Sequence, residues 1–237
     1  MRFECVSRTH VGLKRQINED SFLPDTEGGL WVVADGMGGH EAGEVASAMV
    51  IDALRMLPHG ADLDCFVNNA MDVLHEVNGQ LIGLARSSGS ERTIGTTVVG
   101  VAIEKDEFRC FWAGDSRAYR MREGALIRLS RDHSLVQELV DVGMIRPDEV
   151  EGHANANVIT RAVGVRESVE FDIVSGEAHR GDLFLVASDG LTRVVDDQEI
   201  ALELQNGPLD AVADRLLETV LARGAPDNVT LIITRLV

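Results

Sequence analysis

The sequence predicts an α+β fold built mainly on antiparallel sheet. Three observations support this. Short strand-like runs follow one another through the middle of the chain, and the long helical patterns are grouped rather than alternating one for one with strands. A hydrophobic content of 45% over 237 residues is enough to bury one sizeable core. We therefore expect residues 1–237 to form a single domain.

"FECVSR" (Phe3–Arg8) opens as a first strand, and "LWVVAD" (Leu30–Asp35) is a β-branched run ending on an acid. Two amphipathic helical patterns follow, Gly43–Leu57 and Leu63–Arg86. The central runs "TTVVGVAIE", "FRCFWAG", "RAYRMR" and "LIRLS" alternate or are rich in β-branched residues, as half-buried strands require. Trp31 and Trp112 lie on strand runs and read as core. A short helix is expected over Ser134–Val142, then strands "VEFDIVS" and "DLFLVAS", helices Asp197–Gln205 and Leu209–Arg223 with Gly224 as a stop, and a closing strand "NVTLIITRLV". The stretch 132–158 is polar, contains Gly143, Pro147 and Gly152, and carries "EGHANAN". It reads as a surface flap, a candidate for substrate selection.

Charge narrows the function classes. With 39 acidic against 22 basic residues the formal charge is -17, which repels nucleic-acid backbones and anionic membranes, although excess acid also serves plain solubility. Cys5, Cys65 and Cys110 are odd in number and widely spaced, so neither a disulfide framework nor a zinc knuckle is indicated. No run approaches membrane-spanning length and the amino terminus lacks a hydrophobic signal core. We expect a cytoplasmic protein, acting as a monomer.

Several acids recur at the ends of apolar runs: Asp35 in "VVADGMGG", Asp115 in "FWAGDSR", Asp189 in "LVASDGL" and Asp227 in "GAPDNVT", with Glu19 and Asp20 in "NEDS" after the first strand. Strand ends that project short carboxylates into one mouth can build a hard-cation site, since Mg²⁺ and Mn²⁺ take several oxygen ligands. Gly36 and Gly190, each following an acid, are read as clearing space for water or substrate and freeing a carbonyl. One Asp-Gly pair is ordinary turn chemistry. The glycine-rich "DGMGGHEAG" lacks the lysine and hydroxyl of a phosphate-binding loop.

In order along the chain, "RQINEDS", "DGMGGH", "GTT", "GDSR", "DHS", "ITRAVG", "SDGL" and "DNVT" resemble the motif series of the metal-dependent protein phosphatases called PPM or PP2C, in their compact bacterial branch. The resemblance implies a four-layer αββα sandwich with two central antiparallel sheets flanked by helix pairs, and a binuclear Mn²⁺ or Mg²⁺ centre in a cleft at its edge. By that resemblance Asp35 bridges the ions, Asp189 and Asp227 complete the first, and Glu19 with the Gly36 carbonyl serves the second. Asp20 would hold metal-bound water. Asp115 and Asp189 match a third, weaker metal of bacterial relatives. The implied reaction is hydrolysis of phosphoserine and phosphothreonine in proteins by direct attack of a metal-bridging hydroxide, opposing a Ser/Thr protein kinase.

Arg15 stands where the family grips phosphate oxygens. His40 is either the acid that protonates the leaving alkoxide or a scaffold residue at a helix start. His133 is assigned to structure, and "GTT", "ITRAVG" and the glycines of "GDSR" to backbone positioning. Arg193 departs from the family, where relatives carry a small polar residue; it is expected to pair with Asp196 or Asp197 on the surface, with substrate contact as the alternative. Two other functions stay open: a non-catalytic regulatory module on the same fold, and a metal-dependent hydrolase of small phosphoesters.

Overall fold

A computed structural model of the chain describes residues 2–38, 42–58, 60, 62–87, 93–150 and 152–237. The strands are β1 (Phe3–His10), β2 (Asp20–Asp25), β3 (Leu30–Met37), β4 (Gly95–Thr96), β5 (Val98–Glu104), β6 (Glu107–Ala113), β7 (Arg117–Arg122), β8 (Ala125–Arg128), β9 (Asp172–Glu177), β10 (Leu183–Ala187) and β11 (Val229–Leu236). The α-helices are α1 (Ala42–Arg55), α2 (Leu63–Ser87), α3 (Leu135–Asp141), α4 (Asp189–Thr192), α5 (Asp197–Leu204) and α6 (Leu209–Ala222).

Two antiparallel sheets form the middle of the molecule. One runs β1-β11-β10-β7-β8, the other β2-β3-β5-β6-β9 with β4 beside β3. Alternation along these strands sends side chains to opposite faces, so each sheet contributes to two apolar layers. Trp31, Val99, Phe108, Trp112, Phe184 and Ile232 pack between the sheets. The outer face of the second sheet is covered by α1 and α2 through residues such as Val50, Leu54, Leu74 and Leu81. The outer face of the first is covered by α5 and α6 through Ile200, Val212, Leu216 and Val220. The result is the αββα sandwich that the motif resemblance implies. Among the described residues no helix is long and apolar enough to cross a membrane.

Two elements were not foreseen in the sequence. β2, "DSFLPD", carries Pro24 and acids at both ends, a poor central strand by composition. It is an edge strand, paired only with β3, and an edge tolerates proline because one side of its ladder is unused. α4 is four residues long, too short for a periodic pattern.

Among its described residues, the segment 132–158 contains α3, a 3-10 turn at Pro147–Glu149 and otherwise irregular chain. It is tied back at its ends: Ser134 bridges Ile159, and the Thr160 amide donates to the His133 carbonyl at 2.8 Å. His133 is buried against Trp112, its Nδ1 accepting from the Gly114 amide at 3.2 Å. Burial pulls its pKa below the ordinary value, which suits a neutral structural imidazole.

Candidate metal-dependent active site

β2 and β3 place the first acids. Their register sets Asp20 opposite Asp35. The backbone of Asp35 is fixed by "GTT": its amide donates to Thr97 Oγ1 at 3.1 Å, and its carbonyl accepts from the Thr97 amide at 2.8 Å and Thr96 Oγ1 at 2.9 Å. Glu19 is held as closely. Its amide donates to Asn228 Oδ1 at 2.8 Å, its carbonyl accepts from Ser47 Oγ at 2.6 Å and the Gly36 amide at 3.1 Å, and its Oε1 accepts from the Gly43 amide at 3.2 Å. Asn228 uses its other end to donate to the carbonyls of Val11 and Ile17. It thereby stitches the β11 end to the loop that carries Arg15 and Glu19.

The glycines after the acids have a more local reason than clearance for water. A Cβ on Gly36 would lie 2.0 Å from the Gly43 carbonyl oxygen, and one on Gly190 would lie 1.8 Å from that of Asn228. Backbone packed against backbone leaves no room for a side chain.

Arg15, Glu19, Asp35, Gly36, Asp189 and Asp227 line one cleft of about 520 Å³. Arg15 is half exposed and donates to Asp227 Oδ2 at 2.8 Å. Asp20 is 8% exposed; its Oδ2 accepts from Ser188 Oγ at 2.8 Å, while Oδ1 is buried with no hydrogen-bond partner among the described residues. Asp115 is 4% exposed and lines a smaller adjoining cavity of about 190 Å³ shared with Asp189 and Arg193. His40 lies outside the described residues.

Electrostatics set this cleft apart. Burial pushes the Asp20 carboxyl up to about 6, with the charges of Asp227 and Glu19 adding to the rise against hydrogen bonds from Thr230 and Ser188. Asp35 is driven well above the carboxylate range by desolvation, then by repulsion from Asp20, Asp189, Asp115 and Asp227. Asp189 is also raised by burial, although Arg193 opposes the shift. Such clustered, desolvated carboxylates mark a functional site more often than a structural one.

The donor set fits divalent cations on the Glu19, Asp35, Asp189 and Asp227 side. All donors are hard oxygens, as Mg²⁺ and Mn²⁺ prefer, and the buried, unpartnered Asp20 oxygen is a group that native interiors do not leave unsatisfied without reason. As they stand, no three acidic, His or Cys side chains among the described residues enclose one point. Two of these carboxylates commit an oxygen to a guanidinium, Asp227 to Arg15 and Asp189 to Arg193. The Asp115–Asp189 pair does not fit a third cation, because Arg193 binds both acids.

That contact corrects the expected partner of Arg193. Its Nη2 donates to Asp115 Oδ2 at 2.7 Å, and its Nε forms an ion pair with Asp189 Oδ2 at 2.8 Å. Arg193 ends α4, four residues after Asp189, so the helix turn directs it back along its own face. Asp196 is engaged as the N-cap of α5, and Asp197 accepts from the Tyr119 hydroxyl at 2.8 Å.

The model of the family described as Protein phosphatase 2C matches residues 9–230. The chain belongs to the protein phosphatase 2C family. The serine/threonine protein phosphatase PstP of Mycobacterium tuberculosis is 38% identical across 98% of this chain, which spans 44% of that protein's length. Among solved structures, PppA, described as a key regulatory component of T6SS in Pseudomonas aeruginosa, superposes with a TM-score of 0.92 at 42% identity, covering 99% of this chain and 98% of that one. The catalytic domain of a PstP in complex with two manganese ions gives 0.87 at 35% identity, covering 98% and 97%.

Among 2C-family positions, the sequence had not assigned Asn228, Ser188, Ser47 or the two threonines of "GTT" to named contacts. Asn228, Ser188 and both threonines lie inside motifs, and Asn228, Ser188 and Thr96 stand next to an acid or glycine, whereas Ser47 lies between two alanines outside them. That was the available signal, but it did not reveal the partners.

Proposed function

We propose that this chain is a Mn²⁺- or Mg²⁺-dependent phosphatase of phosphoserine and phosphothreonine in proteins. The observation that carries the reading is the single cleft where Arg15 meets Glu19, Asp35, Gly36, Asp189 and Asp227, in a 2C-family chain similar to a catalytic domain solved with two manganese ions. Glu19, Asp35, Asp189, Asp227 and the Gly36 carbonyl would hold two ions, with Asp20 beside them. When bound, such ions supply a nucleophile near neutral pH and neutralise phosphoryl charge.

The chain's own residues do the rest. Asp35, clamped by Thr96 and Thr97, and Glu19, clamped by Asn228 and Ser47, keep the oxygens preorganised. Arg15 is half exposed at the rim, with a planar fork free to turn from Asp227 to the phosphate oxygens and orient them. The acidic surface repels nucleic acid, and a phosphoprotein, whose phosphate is one local charge, remains a workable substrate. The biological role is opposition to a Ser/Thr protein kinase in the cytoplasm, with the 132–158 segment beside the cleft as the substrate-selecting flap.

The test is hydrolysis of a phosphothreonine peptide with and without Mn²⁺, beside a nucleotide and a small aryl phosphate. We expect Mn²⁺-dependent turnover with preference for the peptide. Binding of Mn²⁺ without turnover of any of the three would favour the regulatory module. Preference for the small esters would replace the protein substrate.

A further inference from the structure

Arg193 sits where two cavities meet. It lines both the main cleft and the smaller one behind it, and Asn157 and Asp189 are shared between them in the same way. Its guanidinium has four partners. Two are carboxylates, Asp115 and Asp189, whose side chains are 4% and 15% exposed. The other two belong to the 132–158 segment: Nη1 donates to Asn157 Oδ1, and Nη2 to the Ala156 carbonyl at 3.4 Å.

A pair of largely buried carboxylates needs a positive charge nearby, or it repels itself and loses hydration uncompensated. Burial lowers the affinity of Arg193 for its proton, yet Asp189 and Asp115 more than offset this, so the guanidinium is a permanent cation there. Its planar fork also reaches across to a segment of little packing potential. Of residues 152–158 only His153 and Ala156 are as much as half-buried, and the local bonds are turn contacts such as Ala156 to His153 at 3.0 Å.

Resting on the metal-site reading above, we propose that Arg193 is a built-in cation at the Asp115–Asp189 pair. It closes that pair to a divalent ion, limits the chain to two metals, and latches residues 156–157 over the cleft. Arg193 is a positioning residue in this account. It acts through Asp189 and the segment rather than on the reacting atoms.

The test compares wild type, R193S and R193S/D115N in two readouts independent of turnover. Bound Mn²⁺ is counted by equilibrium dialysis and native mass spectrometry, and amide exchange of residues 155–158 is followed before Mn²⁺ is added. We expect two ions in wild type, three in R193S and two again in R193S/D115N. Exchange should rise about tenfold in R193S, the effect of losing a charge-assisted bond. Equal ion counts in wild type and R193S, or unchanged exchange, overturn the proposal. If R193S does not fold, R193M, unbranched and neutral, takes its place with the same two expectations. Wild type binding no Mn²⁺ at all would overturn the metal-site reading, and the closure argument with it. A third ion in wild type would overturn only the inference about Arg193.

Discussion

The two sides of the cleft handle buried negative charge differently. On the β2–β3 side, the Glu19 and Asp20 carboxylates accept from neutral donors, the Gly43 amide and the Ser188 hydroxyl, while Asn228, Ser47, Thr96 and Thr97 hold the backbones of Glu19 and Asp35. No guanidinium bonds these three among the described residues. On the α4 side, Arg193 binds Asp115 and Asp189 together. Neutral donors orient a carboxylate while leaving its field intact, whereas a guanidinium cancels it. The first side is therefore built to attract a cation from solution, and the second carries its own.

The largest effect should come from Asp35→Asn. Removing this charge from the middle of the cluster should weaken Mn²⁺ binding and lower kcat/KM at least about 100-fold, equivalent to about 2.7 kcal/mol. Calorimetric titration and peptide turnover check it. Loss of only a few-fold would mean the charge on the β2–β3 side is not what draws the ions.

Arg15→Ala removes the rim guanidinium without touching the β2–β3 donors. About a 10- to 100-fold fall in kcat/KM for the peptide is expected, the range for losing bonds to a charged group, with Mn²⁺ affinity kept or raised because Asp227 Oδ2 is released. A steady-state comparison at saturating Mn²⁺ separates the two. Ser188→Ala is smaller. It frees the anchored oxygen of Asp20, and about a tenfold loss of Mn²⁺ affinity is expected, as for other residues that orient ligands from behind.

How much of this could be read from the sequence differs between the sides. The strand runs and the acids at their ends were legible because period-2 patterns and Asp-Gly pairs are local. β2 was hidden by Pro24, which only its edge position makes acceptable. The donor network was hidden because Asn228 and Glu19 are 209 residues apart, and Ser188 and Asp20 are 168 apart. Arg193 and Asp115 are 78 apart, so local sequence favoured Asp196 and Asp197, whose own cap and tyrosine bonds appear only in the fold. The shape of the site was legible from its motifs. The partners that set its charge were not.

The smallest predicted effect concerns pH. Asp20 is raised from the ordinary 3.8 to about 6, burial being the main cause, so the folded state binds more protons than the unfolded one between these values. In chelator-treated protein its stabilising contribution is complete below about pH 4 and is lost as pH rises through about 6. The Tm advantage of Mn²⁺-loaded over stripped protein should therefore widen by about 4 °C between pH 5 and 7.5. A gap that stays constant or narrows over this range would mean that Mn²⁺ does not relieve this buried charge.

The most direct test of the contrast is a crystal of the wild-type protein grown with Mn²⁺, with anomalous scattering recorded at the manganese edge. Two peaks are expected among Glu19, Asp35, Asp189 and Asp227, and none beside Asp115, where the Arg193 guanidinium stays between the two acids. A peak against Asp115 with Arg193 displaced, or no peak at Asp35, would contradict it.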